Sequence, residues 1–215
     1  GEWFDIPTVK GGYFLTDIEE ELLKNVTSCF KKTVLILNYS GVMDITFAER
    51  YNIDAIVYTS MGGEETGNSV ADILVGNVSP SGKLTDSWCK LDDYITNDNI
   101  TELSIPYNEG IFVGYRYFDT FGIDPVYPFG FGLSYTDFDI NVKGVSVEKT
   151  CVNIDVEVKN VGNFKGKEVV QVYLSEPEGK LPKAYQQLAT FKKTTELGVG
   201  ETENLNLSFD ITDFA

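Results

Sequence analysis

The chain has 215 residues, enough for one large or two small domains, and its 42% hydrophobic content is ordinary for a globular protein. Asp and Glu number 33 against 17 Lys and Arg, and the resulting formal charge of −16 argues against nucleic acid and anionic lipid as partners. The absence of histidine removes Ser-His-Asp and Cys-His catalysis, together with the commonest metal ligand.

Neither a membrane span nor a targeting segment is apparent. No run approaches the roughly 18 apolar residues that cross a bilayer, so we expect no membrane partner. The chain begins with Gly1 and an acidic residue rather than with Met, which favours a fragment or a processed chain without a signal peptide. We therefore expect a cytoplasmic location. A homo-oligomer is compatible with the composition, which does not determine the oligomeric state.

The three cysteines, Cys29, Cys89 and Cys151, are widely spaced and odd in number. This pattern fits neither a zinc site nor a disulfide framework. We expect buried free thiols and no metal.

The first predicted element is a helix over residues 17–30. Thr16 and Glu19 form a capping box, and apolar residues then recur at helical spacing. Residues 33–37 are predicted to form a fully buried strand, and residues 41–51 a loop with a short helix.

A second strand-and-helix unit follows over residues 53–88. A short apolar run at 55–58 predicts a strand, which breaks at Gly62 and Gly63. A helix that ends at Gly76 comes next, and then an extended segment over 83–88. Alternating strands and helices predict a mostly parallel sheet with helices on both faces, an α/β sandwich.

The glycines of this unit do not form a nucleotide site. Residues 62–67 lack the G-x-G-x-x-G order, and Glu64 and Glu65 would repel a phosphate. Residues 76–83 place five residues between glycines where a P-loop has four. A flavodoxin-like nucleotide binder is therefore the least favoured reading. The acidic pair is better explained by the N-terminus of the following helix than by catalysis.

Longer phrases in the same region are more specific. Residues 63–68 read GEETGN, residues 70–76 read VADILVG and residues 78–84 read VSPSGKL. Further along, residues 105–119 read IPYNEGIFVGYRYFD and residues 127–135 read YPFGFGLSY. Together they resemble the second domain of glycoside hydrolase family 3.

From residue 138 onward the pattern alternates and is all-β. Five runs predict strands, and this spacing indicates a β-sandwich: 140–147, 152–158, 169–174, 187–192 and 205–209. Residues 158–173, VKNVGNFKGKEVVQVY, resemble the fibronectin type III-like module that often follows the α/β domain in family 3. We expect an α/β domain over residues 1–135, lacking its N-terminal part, and a fibronectin type III-like domain over 136–215 that is cut short.

The resemblance implies a retaining glycosidase, which needs two carboxylates about 5 to 5.5 Å apart. In the family the nucleophile is an Asp on a barrel domain, which has no counterpart in this chain. The acid/base residue lies in a G-E-G phrase at the edge of the second domain. Gly1-Glu2-Trp3-Phe4-Asp5 occupies that place, so the resemblance assigns the proton donor to Glu2 and substrate contacts to Trp3 and Phe4. Trp3 departs from the family's glycine. The alternative for Glu2 is a solvated terminal carboxylate.

Two other features invite an active-site interpretation. Glu109 and Arg116 are charged residues in an aromatic segment, and Arg116 is expected to form a buried ion pair or to stack on aromatic rings. The aromatic side chains over 107–135 are suited to a sugar platform, although packing between domains is the commoner use.

The resemblance thus implies a β-glucosidase-like enzyme that hydrolyses terminal β-linked sugars of oligosaccharides or glycosides, without metal or organic cofactor. Its partners are the substrate and the barrel domain of the same enzyme. Without the barrel, Glu2 would lie in open solvent, so this chain alone is expected to be inactive. The alternative function is a non-catalytic carbohydrate-binding or domain-docking module.

Overall fold

A computed structural model describes residues 8–95, 104, 106–177 and 179–214. The described chain forms two compact units. The first combines the residues up to Val70 with Asp86–Phe129, and the second combines Ala71–Thr85 with the residues from Gly130 onward. The chain therefore leaves the first unit, returns to it and leaves it again.

The helices and the first two strands follow the predicted α/β order. Their bounds are α1 Asp17–Cys29, β1 Val34–Leu37, α2 Phe47–Arg50, β2 Ala55–Tyr58, α3 Thr66–Leu74 and α4 Tyr115–Phe121. A short 3-10 helix covers Leu91–Asp93, and a second one covers Ile211–Phe214. Helix α4 was not predicted.

Helix α1 begins with the predicted capping box. The Glu19 amide donates to the Thr16 hydroxyl at 3.2 Å, and the Thr16 amide donates to the Glu19 carboxylate at 2.8 Å. Leu23 is buried, whereas Ile18 and Leu22 are exposed. The helix therefore covers the described core with only part of its apolar face.

Strands β1 and β2 pair in parallel, from Val34 opposite Ala55 to Leu37 opposite Tyr58. The prediction of a fully buried strand at 33–37 was wrong. Leu37 is buried, but Val34 and Ile36 are exposed. Side chains alternate between the faces of a strand, and within the described ranges only one face of β1 is covered.

The predicted extended segment at 83–88 is not a strand. Its contacts are irregular: the Leu84 amide donates to the Phe131 carbonyl, the Leu84 carbonyl accepts from the Gly130 amide, and Trp88 makes an isolated bridge with Tyr127. These bonds satisfy the backbone without a continuous ladder.

The second unit contains the five strands predicted for the β-sandwich. They are β3 Phe138–Glu148, β4 Cys151–Asn160, β5 Val169–Leu174, β6 Gln187–Lys193 and β7 Thr202–Asp210. One sheet has the order β3-β4-β7 and the other pairs β5 with β6, all antiparallel. Their shared core consists of Ile154, Val156, Val158, Val170, Leu197, Leu205 and Leu207.

A buried asparagine closes one end of this core. The Asn160 side chain is fully buried; its amide donates to the carbonyls of Phe164 and Leu197 at 2.7 and 2.9 Å. Its oxygen accepts from the Thr136 hydroxyl at 2.7 Å and the Gly162 amide at 3.1 Å. One side chain thus joins the entry to the sandwich, the turn after β4 and the loop before β7.

The cysteines only partly match expectation. All three are free thiols, and Cys89 is buried. Cys29 is exposed and Cys151 is partly buried, so burial of all three was wrong. None of the helices in the described ranges has the length and apolar character that crossing a bilayer requires.

Candidate active site

The residues predicted to carry catalysis, Glu2, Trp3 and Phe4, lie outside the described residues. The structure describes the chain from Thr8 onward. For this site the structure describes the turn over residues 9–14, which comes after these three residues in the chain.

A tight turn follows the predicted catalytic segment. The Val9 carbonyl accepts from the amides of Gly12 and Phe14 at 3.0 and 3.2 Å, and the Gly11 amide donates to the Phe14 carbonyl at 2.8 Å. Gly11 has φ +80°, a conformation that strains residues with a side chain. We call residues 9–14 the anchor turn.

Tyr13 joins the anchor turn to residues 89 and 94 of the same unit. Its side chain is 5% exposed, and its hydroxyl donates to the Cys89 carbonyl at 2.8 Å. Its ring meets those of Phe14 and Tyr94 edge-on, with centroids 5.0 and 6.5 Å apart. Sequence reasoning missed this residue, because its partners lie far along the chain. The adjacent glycines at 11 and 12 were the only local signal of a turn.

The anchor turn lies at the carboxyl end of strand β1. The Asp44 amide donates to the Tyr13 carbonyl at 2.8 Å, and the Tyr39 hydroxyl donates to the Gly12 carbonyl at 3.2 Å. Both donors belong to the loop that follows Leu37, the last residue of β1. Open α/β sheets bind ligands at the carboxyl ends of their strands. The anchor turn, residues 9–14, is therefore held at the edge where such folds build their sites.

The neighbouring strand ends at the same edge. The amide and hydroxyl of Thr59 donate to the Leu37 carbonyl at 2.9 and 3.1 Å, which ties the end of β2 to the end of β1. Ser60 follows with φ +52°, a conformation uncommon for a residue other than glycine. Strained backbone of this kind concentrates at functional sites.

One residue of the acidic pair, Glu65, contacts the start of the following helix. The Glu65 carbonyl accepts from the Ser69 amide, and its carboxylate accepts from the Asn68 side chain at 2.6 Å. Glu65 therefore lies directly before α3 and contacts its first turn, which agrees with the prediction for this residue. Both Glu64 and Glu65 are exposed.

Beneath the anchor turn lies a buried polar cluster that stays uncharged. The Tyr94 hydroxyl accepts from the Cys89 amide at 2.9 Å and donates to the Ser87 carbonyl at 3.0 Å. Burial raises the pKa of the Cys89 thiol and of the Tyr94 hydroxyl to about 12. Burial also raises the pKa of Tyr13. None of these groups is tuned to exchange a proton near neutral pH, so they support the site rather than act in it.

Glu109 and Arg116 do not form a catalytic pair. The described residues contain no hydrogen-bond partner for the buried Oε2 of Glu109. Arg116 donates only a long 3.4 Å bond to the Val113 carbonyl, and no ion pair or ring contact of its guanidinium occurs in the described ranges. The expected ion pair or stacking of Arg116 is therefore not found among the described residues.

The aromatic segment packs within the first unit. Tyr115 stacks on Phe129 with centroids 4.6 Å apart, and Phe121 contacts Phe112 and Tyr117 at 5.2 and 5.0 Å. These rings are used in packing, whereas Tyr107 is 75% exposed. Within the described ranges there is no group of three or more side chains able to hold a metal ion.

Comparison with known proteins identifies two families. Residues 10–135 match the model of the glycosyl hydrolase family 3 C-terminal domain, and residues 168–215 match the fibronectin type III-like domain. Among curated relatives, a beta-glucosidase of Ruminococcus albus is 42% identical over 100% of this chain and 23% of its own length. A beta-glucosidase of Kluyveromyces marxianus is 37% identical over 99% of this chain and 25% of its own. The chain spans about a quarter of these relatives.

Solved structures of beta-glucosidases resemble this chain over its whole length. A Paenibacillus barengoltzii beta-glucosidase has a TM-score of 0.95 and 38% identity over 100% of this chain and 24% of its own. Beta-glucosidase 3B from Thermotoga neapolitana, in complex with alpha-D-glucose, has a TM-score of 0.92 and 36% identity over 100% of this chain and 31% of its own. The predicted fold class, an α/β domain followed by a fibronectin type III-like sandwich, is confirmed. This chain belongs to glycoside hydrolase family 3.

Proposed function

We propose that this chain is part of a retaining β-glucosidase-like hydrolase that removes terminal β-linked sugars from oligosaccharides or glycosides. It supplies the acid/base carboxylate, Glu2, while a barrel domain of the same enzyme supplies the nucleophile. The relatives named beta-glucosidases support this class of reaction. The observation that supports the proposal is the position of the anchor turn, whose residues Gly12 and Tyr13 are held at the carboxyl edge of the parallel sheet.

Glu2 acts twice in this mechanism. As an acid it protonates the leaving-group oxygen while the nucleophile forms a glycosyl-enzyme bond. As a base it then takes a proton from the water that hydrolyses this intermediate. Trp3 and Phe4 offer aromatic faces to the leaving-group sugar. The buried hydroxyl of Tyr13 positions this segment by fixing the turn that follows it.

The domain organisation is part of the proposal. Residues 1–135 belong to the α/β domain and residues 136–215 to the fibronectin type III-like domain. The predicted family phrases and the two family matches support this division. The barrel contributes the nucleophile from outside the chain, so the 215 residues alone are expected to show no turnover.

The test compares the parent enzyme, its Glu2→Gln and Glu2→Ala variants, and this chain alone on aryl β-glucosides. With a poor leaving group, loss of the proton donor should lower kcat/KM by about 10² to 10⁴. With a dinitrophenyl leaving group, which needs no protonation, formation of the intermediate should be nearly unchanged. Azide should restore turnover of Glu2→Ala by attacking the intermediate without base assistance.

Glu21→Gln is the matched control. Glu21 is an exposed carboxylate on α1, so this change alters the charge equally and should leave the rates unchanged. Full activity of both Glu2 variants would refute the acid/base assignment. Sugar binding by the parent without turnover of any glycoside would instead favour the non-catalytic module.

A further inference from the structure

Three lysines of the second unit lie in the segments that meet at Glu168. The Lys83 ammonium lies 2.8 Å from the Glu168 carboxylate and donates to the Gly132 carbonyl at 2.8 Å. The Lys193 ammonium donates to the Ser81 carbonyl at 3.0 Å. Lys167 immediately precedes Glu168. We call Lys83, Lys167 and Lys193 the lysine cluster.

The backbone brings Lys167 and Lys193 together. Lys193 pairs with Val169 in the β5–β6 register, two residues after Lys167. The Thr194 amide donates to the Glu168 carbonyl at 2.9 Å, so the residues that follow each of these lysines are joined directly. Lys193 therefore ends a paired strand, and the pairing continues as far as Glu168, the residue directly after Lys167.

The local charge is opposite to that of the whole protein. The chain carries −16, yet the cluster combines three ammonium groups with one carboxylate. Desolvation, and secondly the positive charge of Lys167, lower the pKa of Lys193. An added anion would relieve this repulsion.

Some N–H donors of the lysine cluster are not used in hydrogen bonds within the described residues. An ammonium group donates three hydrogen bonds. Within the described residues Lys193 uses one, Lys83 uses two, and Lys167 has no ion pair or hydrogen bond. The side chains of Lys83 and Glu168 are only 18% and 16% exposed, so this charge is partly shielded from water.

We propose that Lys83, Lys167 and Lys193 form a binding site for a small oxyanion, either a phosphate or a carboxylate. Such ligands offer several acceptor oxygens and negative charge, which match the unused donors and the positive excess of the cluster. The site is independent of the proposed hydrolysis, because it uses none of the residues assigned to that reaction.

The test is a titration of the ¹⁵N-labelled chain with inorganic phosphate, followed by amide chemical shifts at constant ionic strength set with chloride. Saturable shifts should appear at Glu168, Val169 and Thr194. Lys167→Gln should weaken phosphate binding by about tenfold, because it removes one of the three positive charges of the cluster. Lys167→Gln breaks no contact of the described structure, so the variant should fold.

Lys180→Gln is the control, because Lys180 is an exposed lysine of the same unit outside the cluster. It should bind phosphate as the unchanged protein does. Shifts that fail to saturate, or equal affinity in Lys167→Gln and Lys180→Gln, would overturn the proposal.

A parallel titration with glucuronate separates the two sources of the anion. Tighter binding of phosphate would identify a phosphate ligand, and tighter binding of glucuronate would identify an acidic sugar. The site is supported if either anion gives saturable shifts and if Lys167→Gln weakens the binding of that anion. It is rejected if neither anion gives saturable shifts.

Discussion

Asn160 concentrates four hydrogen bonds on one fully buried side chain. Asn160→Ala removes these bonds and deprives the Phe164 carbonyl of the Asn160 donor, whereas the Leu197 carbonyl keeps its bond from the Gly166 amide. We expect the free energy of unfolding to fall by about 3 kcal/mol. Chemical denaturation of the chain measures this.

Asn204→Ala provides the comparison. Asn204 is exposed on β7 and makes no side-chain hydrogen bond in the described structure, so its loss should change stability by less than about 0.5 kcal/mol. Equal losses in the two variants would show that the buried network does not hold the sandwich together.

The buried polar cluster predicts instability in alkali. The folded protein raises the pKa of Cys89 from 9.0, and that of Tyr94 from 10.0, to about 12. Between these values the unfolded chain has lost protons that the folded chain keeps, so stability falls as pH rises. Below pH 9.0 these groups contribute no pH dependence. Urea denaturation between about pH 8 and pH 11 should show the decline.

Tyr94→Phe identifies one of the groups responsible. The variant should be less stable at every pH, because the phenol accepts and donates buried hydrogen bonds, but its stability should fall less steeply with pH. Tyr107→Phe, at a ring that is 75% exposed, should keep the original slope. An unchanged slope in Tyr94→Phe would contradict the assignment.

Among the elements, close backbone approach distinguishes two glycines of the second unit. A Cβ on Gly132 would lie 2.1 Å from the Gly82 carbonyl oxygen, whereas a Cβ on Gly82 would have nothing within 4 Å. Gly132→Ala must push these two segments apart. We expect it to destabilise the protein by about 2 kcal/mol.

Gly82→Ala should be neutral or slightly stabilising, because it restricts the unfolded chain without a clash. Thermal unfolding of the two variants tests the difference. An unchanged melting temperature in Gly132→Ala would mean that the two segments can move apart without loss of stability.

Local sequence pattern predicted the elements whose determinants are local. The Thr16–Glu19 capping box located the start of α1, and alternation located all five strands of the sandwich. The burial of β1 was overestimated, because apolar character does not say which faces are covered. Helix α4 was missed: its sequence is aromatic rather than periodic, and Gly114 and Gly122 at its ends were the available signal.

The residues of the candidate site were less predictable from the sequence than the elements of the fold. The family phrases led to Glu2, Trp3 and Phe4, and these assignments remain predictions. The anchoring role of Tyr13 could not be read from the chain, because its hydrogen-bond partner, Cys89, is 76 residues away. Long-range pairs of this kind depend on the completed fold.

At the scale of the whole molecule, the charge of −16 makes salt stabilising. Excess carboxylates repel one another in the compact state more than in the unfolded chain, and added ions screen that repulsion. The melting temperature should rise between about 20 and 500 mM NaCl at pH 7.

The rise in melting temperature caused by the same addition of salt should be smaller near pH 5. This pH is closer to the isoelectric point of about 4.3, so the net charge is smaller. A melting temperature that falls with salt at pH 7 would mean that attractive ion pairs outweigh the net repulsion.

The alternation of the two units along the chain affects folding during synthesis. Residues 71–85 leave the ribosome long before the strands to which they bind; the Lys193–Ser81 bond joins residues 112 positions apart. The first unit has all its described residues once Phe129 has emerged, whereas this segment must wait for β6. The contact between residues 71–85 and β6 therefore forms late and carries the entropic cost of closing a long loop. The second unit is expected to form after the first.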